Sequence, residues 1–217
     1  MRLLLTSAGW DKNRRIGREF LKLVGKPPAK IKIFLVVEDS KYLKRGDYII
    51  NFLSRIGITM KNVSIFLLDR KIEKKDLENI DVIYVWGGNT FKYLNGIRKT
   101  GLDRRIVEFV KKGGVYLGLS AGSYIVCPTI EAAAWKHADR NTIKLKNLKG
   151  LNLVPFLITA HFKEKYRKII EAAAKKTKRT IIALTDRQAI LVKGKKIKII
   201  GPGKKIVLNK KYAASVF

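Results

Sequence analysis

The chain has one cysteine and two histidines among 217 residues. A lone cysteine cannot pair within the chain, so a disulfide-stapled fold is excluded. Cys127, His137 and His161 are too few and too scattered for the four-ligand spacing of a structural zinc site, and neither a metal nor a cofactor is expected. No stretch reaches the roughly 18 apolar residues of a membrane span. The apolar run near Met1 follows a single arginine and stops at Trp10-Asp11, too short for a secretory signal core. A cytoplasmic protein without membrane association is therefore expected. Internal repeats, low-complexity tracts and linkers are also lacking, which leaves one domain over residues 1–217.

Acidic residues are scarce as well. Asp and Glu number 17 against 47 Lys and Arg, a net charge of +30, and no acid follows Asp186. Such a balance suits a nucleic-acid binder. The lysines, however, are spread along the whole chain, and no zinc finger, helix-turn-helix or RNA-binding aromatic motif accompanies them. In the densest stretch, Lys193 to Lys211, Lys-Lys pairs alternate with Ile, Val and Leu, the pattern of strands with one buried and one solvated face. Non-specific adhesion to polyanions at low salt is expected, without a specific nucleic-acid partner, from a monomer or homodimer.

Short apolar runs predict strands at Arg2–Leu5, Ile31–Val37, Val63–Leu68, Val82–Trp86 and Val115–Leu119. Later ones fall at Leu153–Thr159, Thr180–Thr185, Ala189–Val192, Ile197–Ile200 and Ile206–Leu208. Helical spacing groups Ile49, Phe52, Leu53 and Ile56, then Leu102, Ile106, Phe109 and Val110, then Phe162, Tyr166, Ile169 and Ile170. Strand–helix alternation predicts an α/β fold, a mostly parallel sheet flanked by helices on both faces. Gly194, Gly201-Pro202-Gly203 and Asn209 break up the last third and predict C-terminal hairpin strands.

The chemistry-bearing motif is Gly118-Leu119-Ser120-Ala121-Gly122, a G-x-S-x-G between a strand and a helix-compatible segment. Such a turn is so tight that its flanking positions must lack side chains, and it lifts the serine hydroxyl above the sheet. Backbone N–H groups at the following helix start, Ala121 among them, can stabilise an oxyanion. Serine is a weak nucleophile and needs a base and an orienting group. His161, just past a predicted strand and opening a helix, is the preferred base, with His137 the alternative. Asp186, at another strand end, is the preferred acid, with Asp139 and Glu131 as rivals. A second motif, Trp86-Gly87-Gly88-Asn89-Thr90, runs a strand into a helix with Thr90 as its cap. There Gly88 and Asn89 could bring a free N–H to an oxyanion hole or to substrate.

Together with Cys127-Pro128-Thr129-Ile130, Ala160-His161-Phe162 and Leu184-Thr185-Asp186, these segments resemble, in order and spacing, peptidase family S51, the family of aspartyl dipeptidase, to which cyanophycinases are related. The resemblance implies a class I glutamine amidotransferase-like fold and hydrolysis of small peptides, with a possible preference for N-terminal Asp. It puts Ser120 at the nucleophile position, His161 at the base position and Asp186 at a late acidic position. The family also has an acid soon after Cys-Pro-Thr-Ile; here Glu131 to Asp139 departs from that pattern and no unique residue aligns. Other readings are an S51-like hydrolase of an ester or acidic polymer, and an inactive member that binds polyanions. Amidotransferases of this fold class use cysteine at the elbow. Serine here argues against glutaminase activity, and Cys127 reads as a buried packing residue.

Overall fold

The computed structural model describes residues 1–10, 13–40, 46–136 and 139–209. Its main sheet has seven strands in the order β3-β2-β4-β5-β1-β8-β9. The parallel part comprises β1 (Arg2–Thr6), β2 (Ile33–Val37), β3 (Val63–Leu67), β4 (Val82–Val85) and β5 (Val115–Leu119). All residues of β2, β4 and β5 are buried, as strands covered on both faces require, hence their unbroken Val, Ile, Leu and aromatic content. Edge strand β3 is exposed at Ser64 and Ile65. β8 (Ala189–Lys193) runs antiparallel to β1, and a hairpin at Gly194 returns the chain as β9 (Lys196–Ile200).

Side-chain alternation sends each strand into two cores. Leu4, Leu35, Tyr84 and Leu117 meet α1 (Arg14–Val24) and α2 (Gly46–Ser54), where the Trp10 and Phe52 rings stack with centroids 3.9 Å apart. Leu3, Leu5, Val36, Val85 and Tyr116 meet α3 (Thr90–Thr100), α4 (Leu102–Lys111) and the short α5 (Ala121–Tyr124). On α4 the buried positions are Leu102, Ile106 and Val110, the helical stripe expected, with Phe109 at its half-buried edge. Among the described residues no helix is long and apolar enough to cross a membrane.

Three expectations need correction. The later strands do not all join the main sheet. β6 (Leu157–Thr159) and β7 (Ile181–Ala183) pair in parallel, and β10 (Ile206–Leu208) adds antiparallel to β7, forming a separate three-stranded sheet. Thus, among the described residues, only β8–β9 is a hairpin. Gly201, at φ +106°, turns the chain away against the Arg187 carbonyl, where a side chain would not fit. Next, the strand expected from Leu153 begins only at Leu157. Leu151, Asn152 and Leu153 donate their N–H groups to the carbonyls of Ile125, Cys127 and Val126 instead. Finally, His161 does not open a helix. Phe162 N–H is tied to the Leu184 carbonyl, a single 3₁₀ turn spans Glu164–Tyr166, and α6 runs Arg167–Lys176. Ile170 is buried there, but Ile169 is 41% exposed, so the expected four-residue stripe is incomplete.

Candidate active site

The strands β1, β4 and β5 carry the site at their C-terminal ends, the usual location in open α/β sheets. Ser120 follows β5 and caps α5 with φ 49° and ψ −106°, outside the normal regions for a non-glycine residue. The surroundings hold it there. Its N–H donates to the Thr6 carbonyl at 3.0 Å, and its own carbonyl accepts from Ser123 and Tyr124. A Cβ on Gly118 would lie 2.7 Å from the carbonyl carbon and oxygen of Gly122, and one on Gly122 would overlap the Val85 carbonyl. Both flanking positions of the motif are glycine because backbone occupies the space a methyl would need.

Ser120 Oγ lies 2.9 Å from His161 Nε2, and His161 Nδ1 lies 2.5 Å from Asp186 Oδ1. His161 leaves β6 in the left-handed region, φ 54°, and its side chain is 43% exposed, open to an incoming substrate. Asp186 sits in the turn between β7 and β8 rather than on a strand. Gln188 fixes that turn: its N–H donates to the Thr185 carbonyl, its Oε1 accepts from Thr185 N–H, and its Nε2 reaches the carbonyls of Pro202 and Lys204. The structure thus brings Ser120, His161 and Asp186 into one hydrogen-bonded row.

The rival acids stand elsewhere. Asp139 accepts from both the N–H and the hydroxyl of Thr90 at the start of α3. Glu131 lines a surface groove with Trp135 and Ile169. His137 lies outside the described residues.

The Gly-Gly-Asn loop flanks the elbow: a Cβ on Gly87 would be 3.7 Å from Ser120 Cβ. Asn89 does not offer the free N–H expected of it, because that group donates to Glu38 Oε2 at 2.7 Å. Asn89, not Thr90, is the helix cap. Its Oδ1 accepts from Phe91 and Lys92 N–H, and its Nδ2 donates to the Arg140 carbonyl. Gly88 stands in the same loop and Ala121 is first in α5, where a helix's opening N–H groups lack intrahelical acceptors. Cys127 is buried beside the Ser123 carbonyl, and burial pushes its thiol up to about 12, an inert packing group.

A protein-family model described as peptidase family S51 matches residues 3–200. The chain belongs to peptidase family S51. Among curated relatives of this S51 chain, the uncharacterized peptidase Lmo0363 of Listeria monocytogenes is 36% identical over 126 residues, covering 56% of this chain and 60% of that protein. Peptidase E of Escherichia coli is 38% identical over 86 residues, 40% of this chain and 36% of the relative. The aligned part of the S51 chain therefore spans between about one third and three fifths of these relatives' lengths. A crystal structure of a candidate Peptidase E protein from Listeria monocytogenes EGD-e superposes with a TM-score of 0.70 at 25% identity, over 93% of this chain and 98% of the other. A peptidase from an acI-B1 actinobacterium, at 18% identity and TM-score 0.65 over 95% and 90% of the chains, shares the fold.

Two residues around the S51 row, Ser7 and Tyr124, carried no recognisable signal in the sequence. Ser7 follows β1 in no motif, yet its hydroxyl accepts from His161 N–H at 2.7 Å and donates to Asp186 Oδ1 at 3.0 Å. Tyr124 OH accepts from Ala160 N–H at 2.9 Å. Lys136, 7% exposed, donates to the Ala160 carbonyl and lies over the Tyr166 ring. Burial lowers its ammonium to about 8, against the opposing pull of Asp139 and Asp186. Lys136 and Asp139 are engaged within the protein, and Arg140 and Arg187 are exposed.

Proposed function

We propose that the protein is a serine-type exopeptidase that hydrolyses small peptides, a dipeptidase in the simplest case. The observation that carries this reading is the row Ser120 Oγ–His161 Nε2–His161 Nδ1–Asp186 Oδ1, at 2.9 and 2.5 Å, on a strained strand-to-helix turn. Membership of peptidase family S51 supports it.

The chemistry follows from the geometry. His161 Nε2 takes the hydroxyl proton as Ser120 Oγ attacks the scissile carbonyl, and the positive charge on the ring is stabilised by Asp186 at Nδ1. Charge gathers on the carbonyl oxygen, next to the first turn of α5 and the Gly87-Gly88 loop. The N–H groups of Ala121 and Gly88 are the candidate donors there. His161 then returns the proton to the leaving amine, the C–N bond breaks and an acyl-Ser120 ester remains. Water, deprotonated by the same ring, hydrolyses that ester and restores Ser120. Asn89 serves by anchoring α3 and the Gly-Gly loop rather than by donating its N–H.

The test has two stages. A fluorophosphonate probe should label wild type at Ser120 and leave Ser120→Ala unlabelled, with hydrolysis of dipeptides lost by several orders of magnitude in kcat at an unchanged melting temperature. Unchanged turnover in Ser120→Ala refutes the serine mechanism. Asp-Leu should then be cleaved about 10- to 100-fold faster than Asn-Leu, the value of one charge-assisted contact to the side-chain carboxylate, and an N-acetylated analogue should be inert. Equal kcat/KM for Asp-Leu and Asn-Leu eliminates the Asp preference and leaves the serine peptidase.

A further inference from the structure

Strand β1 is hydrogen-bonded between β5, which ends at the nucleophile elbow, and β8, which begins after the Asp186 turn. The residue just beyond β1 therefore falls where the Ser120 elbow and the Asp186 turn meet. That residue is Ser7, fully buried, with its N–H directed to the Gln188 carbonyl. A serine hydroxyl has one proton to give and two lone pairs to accept with. The proton goes to Asp186 Oδ1 at 3.0 Å, and a lone pair receives His161 N–H at 2.7 Å.

The loop this closes is short. His161 is joined to Asp186 directly through Nδ1 and again through its main chain by way of Ser7, and both paths end on the same carboxylate oxygen. His161 also holds φ 54°, a strained conformation for a non-glycine residue that persists only where its surroundings impose it. The Ala160–His161 peptide is gripped at both ends: Ser7 takes its N–H, and Lys136 donates to its C=O.

We propose that Ser7 is a positioning residue for the hydrolytic row, holding the His161 backbone and the Asp186 carboxylate in one register so that Nε2 faces Ser120 Oγ. This rests on the reading of Ser120, His161 and Asp186 as the reacting set. The hydroxyl of Ser7 bonds the His161 main chain and the Asp186 carboxylate, and acts through those two residues. Without its hydroxyl, His161 N–H loses a buried acceptor and Asp186 Oδ1 loses a donor. The imidazole can then rotate away from Ser120 while the fold, held by two separate cores, persists.

The test compares wild type, Ser7→Ala and Ser7→Thr by three measurements on the full chain. Steady-state kinetics on Asp-Leu should give a kcat about 10- to 100-fold lower for Ser7→Ala with KM within about twofold, and partial or full recovery in Ser7→Thr. The rate of fluorophosphonate labelling should fall in parallel. Nitrogen NMR of histidine-labelled protein, with His161 assigned through His161→Gln, should show the proton on Nδ1 in wild type and a lower population of that tautomer in Ser7→Ala. A folded Ser7→Ala with wild-type kcat and wild-type tautomer overturns the proposal. So does a loss of activity that disappears once rates are expressed per folded molecule. Should wild type itself neither turn over peptides nor label, the peptidase reading fails; the NMR comparison needs no substrate and decides the role of Ser7 by itself.

Discussion

Gly118 gives the sharpest quantitative test of the elbow. Alanine there would put a methyl carbon 2.7 Å from the carbonyl carbon and oxygen of Gly122 and 2.9 Å from Ser123 N. Ordinary contact begins near 3.4 Å, so the first turn of α5 must retreat by about 0.7 Å. Main-chain atoms cannot rotate aside as a flexible side chain would. Gly122 cannot move toward β4 either, because it already abuts the Val85 carbonyl. Forcing one methyl into such a site costs about 1–3 kcal/mol. The functional loss should be larger in proportion, because Ser120 leads directly into the displaced turn and its Oγ begins only 2.9 Å from His161 Nε2. A displacement of that order costs about 100-fold in rate. The assay pairs urea denaturation with fluorophosphonate labelling of Gly118→Ala. A variant that keeps wild-type stability and labels at the wild-type rate would refute the claim that backbone crowding sets the position of Ser120.

Asp186→Asn should lower kcat by about 100- to 10,000-fold at an intact fold, because an amide donor facing Nδ1 favours the tautomer that cannot accept the Ser120 proton. Asp139→Asn should change kcat only a few-fold and cost about 1 kcal/mol in stability at most, since its partner is Thr90 at the head of α3; a reversed order of the two variants would show that the wrong acid has been assigned. Lys136 predicts a pH dependence. With its ammonium lowered to about 8 from the ordinary 10.5, the unfolded chain binds more protons than the folded one between those values. The penalty of burying the charge is thus present below pH 8 and is relieved as pH rises to 10.5, a gain of about 1–3 kcal/mol. Measured as the stability difference between wild type and Lys136→Met, this gain should appear from pH 8 to 10.5, and a difference independent of pH would contradict it.

The ten strands of the described residues were legible from local composition, apart from the start of β6, because each is a short stretch rich in aliphatic, β-branched or aromatic residues. The elbow was legible for a related reason: G-x-S-x-G records a steric demand that Gly118 meets within its own turn, whereas the crowding at Gly122 comes from Val85 on the neighbouring strand. His161 and Asp186 could be picked out because few residues of their types stand at strand ends. Assignments that depend on which distant groups meet were not legible in this way. Asn89 looked like a donor, but the carboxylate that takes its N–H comes from Glu38, 51 residues earlier. Asp139 looked like a candidate acid until α3 claimed it. The C-terminal strands alternate as hairpins do, yet β10 pairs with β7, because Gly201 redirects the chain and a separate small sheet lies over the α5 face. Ser7 is the clearest case. By itself it is one serine after an apolar run, 154 positions from His161 and 179 from Asp186. Residue type and short-range spacing decided the strands, the elbow and the choice of candidate site residues. Strand order, which puts β1 between β5 and β8, decided what holds those side chains in register, because hydrogen bonds act over about 3 Å in space and take no account of separation along the chain.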